Sequence, residues 1–283
     1  MLGYYEWTII GFTGINILLG LSVYAILATD QLSIGNAGFM AVGAYVSAFL
    51  TVMRGWPLIL ALVVGALAAV FAGLLIGIPA IRLSGIYVVL ATLGFGEIIR
   101  NFFNTYHALG AERGLRGPIG TTVGLIYAWV GAVIVFLWLL RRSRLGLAFD
   151  AVRDDPLVAA TLGIRTTTIK VSAFAIGAFI AGIAGGLYAH YIFYIEPGLF
   201  DFLRSTTAVL FVILGGMRTI LGAVIGAIIF TVLPELARVT ALWRDAVFGA
   251  LLILVMILRP TGLVDKGMFK MIVRKINLML KGA

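Results

Sequence analysis

An all-α bundle crossing a membrane about nine times, eight at least and ten at most, is the architecture to which this 283-residue chain points. Sixty-two per cent of the residues are hydrophobic and 12 per cent are charged, against about a quarter charged in an ordinary soluble domain. A soluble globule of this size needs more polar surface than that. The mean hydropathy of +1.11 agrees. The third observation is segmental: apolar runs near the roughly 20 residues that cross a bilayer recur along the whole chain.

The runs lie near 6–28, 36–53, 57–79, 84–104, 121–140, 169–191, 203–217, 220–238 and 243–258. The seventh and ninth are short, which makes them candidates for broken helices of the kind transporters use. No run at the start has the basic flank and cleavage site of a signal peptide. The longest loop is about 28 residues, too short to house an enzyme, so 1–283 reads as one transmembrane domain. Its appendages are a loop at 141–168 and a basic tail at 259–283.

Charge predicts the orientation. Arg141, Arg142, Arg144, Arg153, Arg165 and Lys170 fill one stretch, and Arg259, Lys266, Lys270, Arg274, Lys275 and Lys281 fill the tail. The positive-inside rule puts both in the cytoplasm. Counting back five spans from Arg141 puts the N-terminus outside, with Arg113 and Arg116 as minor dissent. The net charge of +9 is thus read as a topology signal rather than as a nucleic-acid footprint.

Small residues predict close packing. Ala173, Gly177, Ala181, Gly185 and Ala189 recur every fourth position in the sixth span. Ala61, Gly65, Ala69, Gly73 and Gly77 do so in the third. Such ridges let helix backbones approach where lipid supplies no hydrophobic drive. A faint likeness between Gly38–Ala44 and Gly222–Ala227 hints at an internal repeat.

Several chemistries are excluded. Cysteine is absent, so there is no thiolate and no Cys-containing metal site. His107 and His190 alone leave little for metal ligation. No Walker A loop and no H-E-x-x-H occurs. Ser84 lacks the upstream glycine of a rhomboid-type nucleophile, since residue 82 is Arg. Glu97 is the best intramembrane carboxylate, toward the outer end of the fourth span, with Arg100 at ion-pair spacing. Asp201–Arg204 and Glu235–Arg238 share that spacing at outer helix ends. The polar groups within spans are Asn16, Asn36, Thr92 and Glu97, and the last three are the candidate path residues.

The 141–168 loop carries the strongest local signal. Asp155 suits an N-cap, Pro156 the first helical position and Gly163 the residue after the end. Between them Leu157 to Leu162 spell two apolar turns in the cytoplasm. Exposed apolar surface of that kind calls for a partner or the membrane surface. Arg153 and Arg165 flank it as rim charges, with Leu157, Ala160 and Leu162 as the contact face.

These blocks resemble a known family. Leu83–Tyr87 with Ala91–Arg100, Gly117–Gly120, the segment 143–164, Leu214–Ala227 and Arg259–Leu263 are similar, in order, to the permease subunits of branched-chain amino acid ABC importers. The LivM branch of that LivH/LivM family is the nearer one. Arg218 stands where the family usually has Gly, and Ala223 where it has Pro. The resemblance implies an ABC-importer permease in a prokaryotic cytoplasmic membrane. Its partners would be a second permease subunit, LivH-like or a copy of itself, two cytoplasmic ATPases and an extracytoplasmic binding protein. ATP and Mg would sit on the ATPases, and this chain would bind no cofactor or metal of its own. The 155–163 helix would be the coupling helix. Alternative readings are a sister importer for urea, short amides or sugars, a stand-alone secondary transporter or channel, or a structural subunit of an energy-converting complex.

Overall fold

Lipid offers backbone N–H and C=O groups no partner, so a spanning chain closes its hydrogen bonds within helices. The computed structural model obeys that rule. It describes residues 4–83 and 85–236 and, singly, Gly249, Ile253 and Leu263. Apart from those three residues, the ninth span and the basic tail therefore lie outside the described residues, as do Arg238 and the side chain of Glu235.

Eight helices match the first eight apolar runs within three residues at every end. They are α1 (Tyr4–Leu27), α2 (Asn36–Arg54), α3 (Leu58–Ala80), α4 (Ile86–Thr105), α5 (Val123–Arg142), α8 (Thr166–Ile192), α9 (Phe202–Gly215) and α10 (Ile220–Leu236). Two more, α6 (Arg144–Asp154) and α7 (Pro156–Thr161), fill the loop. Seven segments are long and apolar enough to cross a membrane, α9 among them with its preceding turn, and α10 contributes a shorter apolar helix. Among the described residues this gives seven such segments and one shorter apolar helix, and the expected count of nine is not confirmed.

The helix α8 is the central pillar. It packs along α2, α3 and α1. A Cβ on Gly182 would collide with Ala66 and Ala69, one on Gly185 with the Met40 carbonyl, and one on Gly43 with Gly182 itself. On Gly65 it would stand 2.7 Å from the Gly43 carbonyl. The predicted small-residue ridges are therefore the crossing points, and Ala173, Gly177, Ala181, Gly185 and Ala189 are all buried. His190, wholly buried, pins the far end. Its Nδ1 donates to the Gly186 carbonyl at 2.7 Å, leaving Nε2 for the Thr51 hydroxyl of α2 at 2.9 Å.

A second crossing joins the other helices. Gly20 of α1 faces Phe211 of α9 and Ala223 and Ala227 of α10. Asn16 Nδ2 ties α1 to α10 through Thr231 at 2.9 Å. The two segments of the faint sequence likeness, Gly38–Ala44 and Gly222–Ala227, lie on α2 and α10.

At the end of the bundle away from Arg141, a two-residue ladder joins β1 (Leu115–Arg116) to β2 (Tyr194–Ile195). Nothing in the sequence pattern had announced it. The Arg116 guanidinium lies over the Tyr194 ring, 5.5 Å from its centroid.

Gly182→Leu is expected to destabilise the bundle by about 1–3 kcal/mol, the usual range for overpacking. The readout is the midpoint of thermal aggregation in mild detergent. Gly131→Leu on α5, where an added Cβ meets nothing, should change it by less than about 0.5 kcal/mol.

Candidate functional site

Two regions concentrate polar or unpartnered groups. The first is the loop at the basic end of the bundle. Ser143 caps α6: its hydroxyl donates to the Leu140 carbonyl at 2.7 Å and accepts from Gly146 N at 3.4 Å. A side chain on Gly146 would strike Leu140 and Arg141, so the chain can fold back over α5 only with glycine there. An Arg141–Asp150 ion pair of 2.8 Å closes the corner. The sequence reading missed α6 as a helix. Its signal was the spacing Gly146–Phe149–Val152, three residues apart and all buried.

The predicted capped helix is present as α7. Asp155 Oδ1 accepts from Leu157 N at 2.8 Å and from Val158 N at 3.1 Å, Pro156 opens the helix, and Gly163 follows it at φ +81°. Its one buried residue, Ala159, joins Phe149, Val152, Ala28, Ile169 and Ala173 in a small second core. The rest of α7 stands out: Leu157 is 79% exposed and Leu162 74%, with Ala160 and Arg165 exposed beside them. Arg153 differs from the expected rim charge. Its Nη1 donates to the Met217 carbonyl at 3.2 Å, tying the loop to the turn between α9 and α10. Burial and the neighbouring Arg218 guanidinium lower its pKa, and Asp30 raises it.

The second region lies inside the bundle. After α1 ends at Leu27, Ala28, Thr29 and Asp30 close it with a turn, donating to the Tyr24, Ile26 and Leu27 carbonyls; residues 31–35 then run back outside any helix, and of 28–35 all but Asp30 are at least partly buried. Side chains supply what the missing ladder would. Ile34 N donates to Thr92 Oγ1 at 3.1 Å, and Gly35 N to Ser33 Oγ at 3.2 Å. The first turn of α2 then starts beside Ser22, a turn and a half short of the end of α1. Asn36 Nδ2 donates to Ser22 Oγ at 2.9 Å, and its Oδ1 is buried with no partner among the described residues. Ala37 N donates to Ser205 Oγ, in the first turn of α9, at 2.9 Å. Two helices thus begin within the bundle with their N-termini in contact.

Of the three path candidates, Asn36 and Thr92 are wholly buried and hold the start of α2. Glu97 is different. It is the twelfth of the twenty residues of α4, nearer the middle of the span than the sequence reading put it. Its carboxylate pairs with Arg100 at 2.7 Å, as the spacing predicted, yet the two side chains stay 36% and 41% exposed. Glu97 shares a recess with Ala37, Asp201 and Ser205. The expected Asp201–Arg204 ion pair takes another form. Asp201 Oδ1 caps α9 through Arg204 N at 2.9 Å. The Arg204 guanidinium lies 5.0 Å over Tyr188 instead.

The family model described as "Branched-chain amino acid transport system / permease component" matches residues 7–256. The chain belongs to that family. LivM of Escherichia coli (strain K12), a high-affinity branched-chain amino acid transport system permease protein, is 32% identical over 88% of this chain. The match spans 66% of that relative's own length. LivH of Salmonella typhimurium is 33% identical over 59% of this chain and 54% of its own. The autoinducer 2 import system permease protein LsrC of Yersinia pseudotuberculosis is 29% identical over 70% and 59% respectively. No solved structure matches. As a member of this permease family, with seven helices among the described residues long and apolar enough to cross a membrane, the chain is an integral membrane protein.

Asp155→Ala removes the cap of α7, worth about 1 kcal/mol. The amides of residues 157–162 are expected to exchange with deuterium about fivefold faster, with α8 unchanged.

Proposed function

We propose that this chain is the membrane-spanning permease of an ATP-driven importer that carries branched-chain or other hydrophobic amino acids into a prokaryotic cell. A binding protein outside would deliver the substrate, two ATPases would dock from the cytoplasm, and a second permease subunit, LivH-like or a copy of this chain, would complete the path. The membrane is the cytoplasmic one, with the N-terminus outside and the C-terminus inside. This orientation rests on the cluster Arg141, Arg142 and Arg144.

One observation carries the reading: α7 is capped, and it projects an apolar face that the described residues leave uncovered. Such a face suits a groove on a soluble partner, with Leu157 and Leu162 as anchors, Ala160 at the contact and Arg165 at the rim. The route inward is short. Ala159 packs with Ala28, where the non-helical segment toward α2 begins. Arg153 reaches the turn that follows α9. A push on α7 would therefore reach both helices whose N-termini meet near Glu97. ATP and Mg act on the partner ATPases, and Pro156, Asp155 and Gly163 keep the helix in shape.

The similarity to LsrC favours a second reading, a sister importer with the same architecture and another small solute. Titration of the associated binding protein with leucine, isoleucine, valine and other solutes separates the two.

The test is affinity purification from native membranes, then reconstitution with the recovered ATPases and binding protein. Leucine uptake should require ATP. Ala160→Glu should reduce it at least tenfold while the chain still inserts and purifies. Uptake that ignores ATP and follows an ion gradient would make the chain a secondary transporter instead.

A further inference from the structure

We propose that the Arg204 guanidinium, at the end of the bundle away from Arg141, is the group that takes the carboxylate of the amino acid substrate, and that the connector 193–201 is a strap covering it between deliveries. The inference rests on the reading above and names the receiving group.

The starting point is a defect. Arg204 Nε and Nη2 are buried with no hydrogen-bond partner. A buried charge left unpaired weakens a fold. Asp201, one turn earlier, turns its Oδ1 to the Arg204 backbone N–H instead. The Tyr188 ring lies 5.0 Å from the guanidinium. Its face attracts the charge but leaves those N–H groups without an acceptor. Tyr45 Oη is buried without a partner too. Phe200 stands between the two sites, its ring centroid 6.0 Å from that of Tyr188 and 6.2 Å from that of Tyr45. The unpartnered groups can all donate. The missing group is therefore an acceptor, and beside a fixed positive charge it is an anion.

The surroundings select which anion. The Tyr188 phenol lies within electrostatic reach of both Arg204 and Glu196, yet no ion pair joins those two among the described residues. Glu196 Oε2 accepts from the Tyr194 hydroxyl at 2.8 Å. A free amino acid carries one carboxylate and one ammonium. Arg204 suits the first, Glu196 the second, and the rings of Tyr188, Phe200 and Tyr45 suit an apolar side chain.

The covering segment is lightly held. It starts at Phe193, a bulky residue at φ +64°, which is a strained conformation. Its bonds to the rest of the chain include the two-residue ladder Leu115–Ile195 and Arg116–Tyr194, and Gly117 N donating to the Phe193 carbonyl at 3.1 Å. A ladder that short opens readily. Lifting the segment withdraws Phe200 from Tyr188 and uncovers the guanidinium.

The test uses the complex reconstituted with its ATPases and binding protein. Photo-leucine, a diazirine analogue of leucine, is irradiated during ATP-driven turnover. Adducts are expected on Tyr188, Phe200 or Tyr45, and adducts confined to other residues overturn the proposal. Arg204→Met should abolish those adducts and reduce leucine uptake at least tenfold, without lowering the midpoint of thermal aggregation. Unchanged uptake, or a lowered midpoint, which marks a structural role, overturns it. So does weaker retention of the binding protein by this variant, since the carboxylate would then be that protein's. The strap is tested in a chain with no native cysteine. Leu115→Cys with Ile195→Cys should form a disulfide that lowers uptake at least tenfold, and reduction should restore it. A disulfide that leaves uptake intact, or none formed, overturns the strap. ATP-dependent uptake by the unaltered complex alongside any of these failures refutes the site and leaves the importer reading standing.

Discussion

Two helices approach to backbone contact most easily where at least one carries no side chain, and the crossing of α8 with α2 and α3 is built on that condition. Gly43, Gly65, Gly182 and Gly185 bring carbonyl oxygens of one helix against the α-carbons of the next. In lipid this contact has no competing hydrophobic drive to fall back on. Because α8 is fixed against α2, the first turn of α2 is fixed too. Residues 31–35 must then be covered, since an exposed non-helical segment in hydrocarbon would leave its N–H and C=O groups without partners. The wholly buried Thr92 and Asn36 serve that requirement.

The helix α2 follows the segment 31–35 from the basic end, and α9 follows the short 3-10 turn Pro197–Phe200 from the opposite end. Their N-termini meet through Ala37 and Ser205. Helix N-termini carry partial positive charge, so two in contact leave a site that favours carboxylates nearby. Glu97 and Asp201 are the carboxylates the recess contains. Their place there has a structural reason before any functional one.

Much of this was legible in the sequence. The eight described spanning helices were, because an apolar run long enough to cross a membrane has few other uses. The cap of α7 was, because Asp155–Pro156 and Gly163 are local signals that need no tertiary knowledge. What failed depended on depth or on distant partners. Apolarity shows that a span starts near residue 36, but not that its first turn lies inside the bundle beside Ser22. Spacing predicted Glu97–Arg100 correctly and Asp201–Arg204 wrongly. In the second pair the carboxylate serves the backbone of its own helix, and an aromatic ring, Tyr188, competes for the guanidinium. Arg153 read as a solvent-facing charge because its acceptor, the Met217 carbonyl, lies 64 residues away.

Arg153 also bears on the departure at residue 218. The family usually has glycine there, and this chain places an arginine next to a turn whose carbonyl another arginine already holds. Burial is the larger cause of the lowered pKa of Arg153, and repulsion by the Arg218 guanidinium adds to it. Asp30 opposes it from the start of the buried 28–35 segment. The loop, the α9–α10 turn and the approach to α2 are therefore linked by charge as well as by packing. A change of charge at 218 acts on all three, whereas a change at Arg165, exposed on the outer side of α7, leaves these contacts untouched.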